Sequence, residues 1–202
     1  MLKFFHRLLE NPKIYELMQK LLGGERVYKA IREFIKVQLK NISNNNVLDV
    51  GCGTGFLSDC FSGAYTGVDI NETYIKKAET KRKGVFMVAD ATKLPFAPET
   101  YDLVFTVGVL HHLDLSSSKK LLNELWRVCR PDGKIIIVDG VIPSNKLNFI
   151  GFILAKLDRG RYKIRGKKFR EMINDSYSFS KKITFTNIIR FPYEIIIAYV
   201  YK

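Results

Sequence analysis

Acidic side chains are scarce in this chain. Twenty Asp and Glu stand against 33 Lys and Arg over 202 residues, a formal net charge of +13. Cysteine is rarer still, with three residues at Cys52, Cys60 and Cys129. An odd number in a chain long enough to bury a full core does not read as a disulfide scaffold. Reduced thiols and a cytoplasmic setting are therefore expected. The cysteines lack zinc spacing and there are only three histidines, so no metal is expected. Long apolar runs are missing too. The best, Leu147–Leu157 "LNFIGFILAKL", falls well short of the roughly 18–20 residues that span a bilayer. The opening "MLKFFHRLLENP" lacks a small-residue cleavage site and does not read as a secretory signal.

The positive charge is unevenly spread. Residues 1–42 carry +5, residues 43–140 carry −1 and residues 141–202 carry +9. A neutral middle between basic flanks suits an RNA surface or an anionic membrane surface. It suits equally well a solvated basic face that only keeps the protein dispersed.

One domain is expected at this length. Residues 1–42 read as a helical cap. Apolar residues recur at helical spacing from Leu2 to Leu9, from Ile14 to Leu22 and from Val27 to Leu39. Residues 43–140 alternate short apolar runs with helix-like segments, the signature of βαβ units and a parallel sheet. The helix-like segments are Phe56–Phe61, Glu72–Lys81 and Ser117–Cys129. "RPDGK" (130–134) reads as a tight turn before the fifth strand. Residues 141–182 form a basic, partly helical insertion. Residues 183–202 read as a β-hairpin, an antiparallel edge on the parallel sheet.

The informative stretch is "VLDVGCGTG" (47–55), an apolar run ending in glycines at 51, 53 and 55. Glycine lets the backbone approach a ligand where a Cβ would clash. A dinucleotide fingerprint would place its third glycine at position 56, which is Phe56, and the Gly-Lys-Ser/Thr of a P-loop is absent. The turn is thus not built around a pyrophosphate or triphosphate. Asp69 ends the second strand, 18 residues after Gly51, where a carboxylate can accept both ribose hydroxyls. Asp90, followed by Ala91, ends the third and can accept from an exocyclic amino group. An adenosine specified at sugar and base, without a phosphate site, fits S-adenosylmethionine.

Five segments in order, "VLDVGCGTG", "GVDIN" (67–71), "VADATKLPF" (88–96), "YDLVFTVGVLHHL" (101–113) and "LWRVCRPDGKIIIVDG" (125–140), resemble the class I S-adenosylmethionine-dependent methyltransferases of small-molecule type. The resemblance implies an α/β, Rossmann-like, doubly wound seven-stranded sheet. Its order would be 3-2-1-4-5-7-6 with the last strand antiparallel, N-terminal helices over the cofactor and a lid in 141–182. It also implies that Asp49 organises the turn and the methionine amino group, with Gly51, Cys52, Gly53 and Gly55 beneath the methionine part. Cys52 is given no chemistry of its own. Asp69 would take the ribose, Ile70 would pack on adenine, Asp90 and Ala91 would meet the adenine edge, and Val107 to His112 would pass along the methionine side.

Methyl transfer needs a base only when the acceptor must lose a proton. His111 and His112 are the adjacent titratable pair beyond the fourth strand. His112 is the preferred substrate-facing residue, against the plainer reading that both only pack or hydrogen-bond locally. In "LDRGRYKIRGKKFREM" (157–172), Arg159, Arg161 and Arg165 could fork onto a carboxylate or phosphate of the acceptor, or simply stitch the lid to the sheet. The expected acceptor is a small or amphiphilic molecule such as a lipid, quinone or polyketide, with peripheral contact to an anionic membrane. A nucleic-acid acceptor ranks below it, since no Asn-Pro-Pro-Tyr-like motif stands at "TVGVLHHL". A domain that binds the cofactor without catalysis is the third reading.

Overall fold

The computed structural model describes residues 24–39, 46–157, 160–189 and 191–202. The two helices expected between Leu2 and Leu22, and the residues Asp158, Arg159 and Arg190, lie outside the described residues.

Seven strands form one sheet: β1 (Val47–Val50), β2 (Tyr65–Asp69), β3 (Val85–Val88), β4 (Tyr101–Val107), β5 (Cys129–Val141), β6 (Lys182–Ile189) and β7 (Glu194–Tyr201). Their order is β3-β2-β1-β4-β5-β7-β6, as the motifs imply. Neighbours from β3 to β5 pair in parallel, and β7 runs against both β5 and β6. Among the described residues five α-helices accompany the strands: α1 (Gly24–Leu39), α2 (Glu72–Lys81), α3 (Leu115–Val128), α4 (Phe149–Leu157) and α5 (Gly166–Ser176).

The two-residue period of the strands divides the apolar residues between two cores. In β5, Ile135 and Ile137 face one core while Ile136 and Val138 face the other. In β7, Ile196, Ala198 and Val200 part from Ile195 and Ile197 in the same way. Leu121, Leu122, Leu125 and Val128 of α3 close the first core, and Ile31 and Ile35 of α1 close the second. Both faces of the central strands are covered, which is why "VLDV" is apolar throughout apart from Asp49. Each fully buried Leu or Ile contributes about 1.5–3 kcal/mol.

The helix starts follow from local chemistry. Asn71 caps α2 by accepting from the amides of Thr73 and Tyr74, and Asp114 caps α3 by accepting from that of Ser117 at 2.7 Å. Arg127 of α3 donates to the Leu94 and Phe96 carbonyls while Glu124 accepts from the Leu94 amide. The loop after β3 is thereby fixed to the helix.

Two expectations change. Phe56–Phe61 is not a helix of any length: a 3₁₀ turn covers Ser58–Cys60. Leu57, which precedes it, offers no capping side chain, so too little holds a full helix there. "RPDGK" is not a turn ahead of β5 but a bulge within it. Cys129 already pairs with Tyr101, Lys134 resumes the register with Leu103, and Asp132 adopts φ +64° to absorb the extra residues. The three cysteines are unpaired, and burial pushes the Cys129 thiol up to about 12, which keeps it unreactive.

Candidate cofactor and acceptor site

The glycine turn leaves β1 at the carboxyl end of the sheet. The amides of Gly51 and Cys52 both donate to the Val68 carbonyl, at 2.8 and 2.9 Å, which binds the turn to β2. Gly51 has φ +79°, and a Cβ there would stand 2.2 Å from a Val109 methyl. Gly53 has φ +54°, yet among the described residues a Cβ there would meet nothing within 4 Å. Here the space above the backbone is left open, the cradle that a ligand lying on the turn requires. Gly55 turns at φ +69° with its α-carbon against the Phe86 ring, and Cys52 is buried with its sulfur over Gly67. Cys52 is therefore a packing residue of the turn.

Asp69 sits where β2 ends. Its Oδ2 accepts from the Gly53 amide at 2.9 Å and its Oδ1 from the Asn71 amide at 2.8 Å. A carboxylate has about four lone-pair sites, so one on each oxygen is left for a pair of vicinal hydroxyls. Ile70 beside it is 73% exposed, an apolar surface suited to the face of a base. Asp90 accepts from the amide and hydroxyl of Thr92, both at 2.8 Å and both on Oδ1. Those two bonds hold the carboxyl below its ordinary range, hence ionised. Ala91 follows it, half-buried. Val107, at the end of β4, packs against the second core. These residues fit the adenosyl group that the sequence implies.

Asp49 is the buried acid beneath the turn, and one of its oxygens accepts from the Tyr65 hydroxyl at 2.6 Å. Burial is the largest influence on it, the Tyr65 hydrogen bond acts in the opposite sense, and the Asp69 charge adds to burial; its pKa is raised from 3.8 to about 7. A folded-state value above the unfolded one means that folding favours the protonated acid. That stabilisation is complete below about pH 4 and is lost as pH rises through about 7. A cationic ammonium beside Asp49 favours the ionised form, so cofactor affinity should rise with pH across neutrality. Calorimetry from pH 6 to 8 checks this. Asp49→Asn should flatten the profile, and an unchanged slope in that variant would remove Asp49 from the site.

From Gly108 the chain leads to a second feature. Val109 covers Gly51, and two residues on, His111 walls a cavity of about 220 Å³. Leu110, Leu113, Phe169 and Met172 make that cavity largely apolar, and Lys163 and Lys168 bring cations to it. His111 Nδ1 lies 2.5 Å from Asp139 Oδ1, at the carboxyl end of β5. Asp139 is buried, and it also accepts from the His111 amide at 3.2 Å and the Gly140 amide at 2.7 Å. Such a carboxylate orients the ring: with the Nδ1 proton directed at Asp139, the neutral imidazole has its lone pair on Nε2. His112 is exposed, its ring 4.2 Å from that of His111 and its amide closing a turn on Val109.

The arginines of the lid are placed differently from the expectation. Arg161 and Arg165 are exposed and do not line the cavity, and Arg165 stands at the start of α5. Arg159 lies outside the described residues. Arg170 stacks on Phe185 and donates to Asn187, a structural role. Four residues at the turn and the cavity were not singled out from sequence. Asp139 was signalled by its position, an acid at a strand end like Asp69 and Asp90. Tyr65, Lys163 and Lys168 carried no signal.

Gly160 packs flat on His111. A Cβ there would stand 1.9 Å from His111 Cδ2 and 2.8 Å from its carbonyl oxygen. Gly160→Ala should displace the imidazole and lower turnover by up to about a hundredfold with cofactor affinity kept, as kcat and calorimetric Kd measured side by side will show.

The fold and the turn are those expected of a class I methyltransferase domain. Residues 48–137 match the family described as "Methyltransferase domain". The chain is 31% identical over 158 residues to a ubiquinone/menaquinone biosynthesis C-methyltransferase (UbiE) of Blochmanniella floridana, covering 71% of this chain and 59% of that protein. It is 39% identical over 97 residues to a tRNA (carboxymethyluridine(34)-5-O)-methyltransferase of Arabidopsis thaliana, covering 47% of this chain and 24% of that one. Magnesium protoporphyrin IX methyltransferase of Synechocystis, solved with bound S-adenosylhomocysteine, superposes with TM-score 0.66 at 22% identity, over 92% of this chain and 87% of that one. Over residues 48–137 and in its fold the chain is thus similar to the class I S-adenosylmethionine-dependent methyltransferases, and it spans less than two thirds of the length of these two curated relatives.

Proposed function

We propose that this protein transfers a methyl group from S-adenosylmethionine to a small amphiphilic acceptor carrying a negative charge, with His111 as general base. The observation that carries the proposal is the His111–Asp139 pair at the wall of an apolar cavity with two lysines, joined by Val109 to the glycine turn. The cofactor supplies a methyl group on a sulfonium, whose departure as a neutral thioether is intrinsically easy. The protein's part is to position and to desolvate. Asp49, Asp69 and Asp90 hold the donor, and Leu110, Leu113 and Phe169 exclude water from the acceptor. Lys163 and Lys168 attract its anionic end. His111 Nε2 takes the proton that the acceptor atom loses as it gains the methyl group, and Asp139 stabilises the imidazolium that results. This reading gives the base role to His111 in place of His112. No metal enters it.

RNA is the second reading. The likeness to a tRNA methyltransferase favours it, as does the net charge of +13. Methyl-labelled cofactor incubated separately with extracted membrane lipids and with undermodified tRNA distinguishes them. Label in the lipid fraction is expected, and label confined to tRNA would replace the first reading by the second. Cofactor binding without label in any fraction would leave a binding domain.

A further inference from the structure

Helix α4 turns an apolar face to solvent. Phe149 is 71% exposed, Ile150 52% and Ile153 42%, and Leu147, just ahead of the helix, is 90% exposed. Their spacing places all three helical residues on one side. The other side is anchored. Leu154 is buried, and Gly151 lies so close to the Pro192 carbonyl oxygen that a Cβ would come within 2.2 Å. Asn148 fixes the helix start, donating to the Pro192 carbonyl and accepting from the Gly151 amide, each at 2.9 Å. The apolar face is therefore held outward by the packing of its back, and Phe191, next to Pro192, adds a further exposed ring.

Its charge setting is one-sided. Residues 141–157 contain no acidic side chain, and the exposed Lys146 and Lys156 stand at either end of the apolar run. At nine residues the helix is too short to cross a bilayer, and none of the described helices is long and apolar enough to do so. A short, outward apolar face bracketed by lysines, with no acidic residue between positions 141 and 157, is the pattern of an interfacial helix.

We infer that α4 docks the protein on an anionic lipid bilayer, with Leu147, Phe149, Ile150 and Ile153 inserted at the acyl boundary and Lys146 and Lys156 among the headgroups. The occupant is the lipid surface itself, independent of which acceptor is methylated. The same segment leads from the cavity, since Val141 lines it and the Ile142 amide donates to the Ile164 carbonyl at 2.9 Å. An amphiphile in the bilayer and the acceptor cavity would thus be served by one stretch of chain.

The test is sedimentation of the full chain with vesicles of phosphatidylcholine, with and without one third phosphatidylserine, at low salt. The parent should pellet with the anionic vesicles and much less with the neutral ones. The double variant Phe149→Glu/Ile153→Glu should lose about tenfold or more in partition while binding S-adenosylhomocysteine as the parent does, which shows that it is folded. Equal pelleting of parent and variant overturns the inference, as does failure of the parent to pellet. A dimeric parent that the variant converts to monomer in light scattering also overturns it, by making the face a contact between copies. Each of these leaves the methyltransferase reading standing, because that reading stands on cofactor binding and label transfer.

Discussion

Asp69→Ala should weaken S-adenosylhomocysteine binding by roughly a hundredfold or more, since two hydrogen bonds to a charged acceptor are worth about 1.5–3 kcal/mol each. The residue acts at two levels. Its Oδ2 holds the Gly53 amide at 2.9 Å, so the carboxylate shapes the turn. Under the proposed function its remaining lone pairs accept from the ribose hydroxyls, which phosphate-free recognition of an adenosine cannot spare. Asp69→Asn should fall between, because one oxygen survives and the amide nitrogen cannot accept. Asp69 ends its strand at the edge of the site and is only half-buried, so thermal stability should change far less than affinity. Calorimetric titration beside a melting curve separates the two. An alanine variant that binds as the parent does would remove Asp69 from the site.

The second large effect concerns turnover. His111→Ala should lower kcat by about 10²–10⁴, the usual contribution of a positioned acid–base group, and leave cofactor affinity within a few-fold of the parent. The acid limb of the pH–rate profile should vanish with the imidazole. Asp139→Asn should reduce kcat less completely, because the ring remains but loses its orienting charge and the correct tautomer preference. His112→Ala, by contrast, should have a small effect, since that side chain is exposed on the turn. If His112→Ala reduces turnover and His111→Ala does not, the assignment is reversed.

The glycine turn and the acids at the strand ends were readable because their signal is local. Glycines at 51, 53 and 55 and acids at the ends of successive strands fix a turn and two acceptors within some forty residues. Strand alternation gave the sheet for a similar reason, since burial on both faces leaves continuous apolar runs such as "VLDV" and "KIIIVDG". What escaped depends on distant pairing. Tyr65 reaches Asp49, and His111 reaches Asp139 across 28 positions, only because β4 and β5 lie side by side. Nothing in "HHL" distinguishes its two histidines; the sheet does. The segment after β5 was harder to read: forked chemistry drew attention to its arginines, while the helical turn of α5 and the chain before it bring Lys163 and Lys168 to the cavity. The β5 bulge was missed because Pro-Asp-Gly in sequence looks alike in a turn and in a bulge.

The central claim, that this chain holds S-adenosylmethionine on a turn, the buried acid beneath it and two strand-end acids rather than a phosphate-bearing nucleotide, is tested most directly by calorimetric titration with three ligands: S-adenosylmethionine, NAD and ATP. The account predicts saturable binding of one equivalent of S-adenosylmethionine, lost in Asp69→Ala, and no saturable heat from the other two. Saturable binding of NAD or ATP with none of S-adenosylmethionine would contradict it.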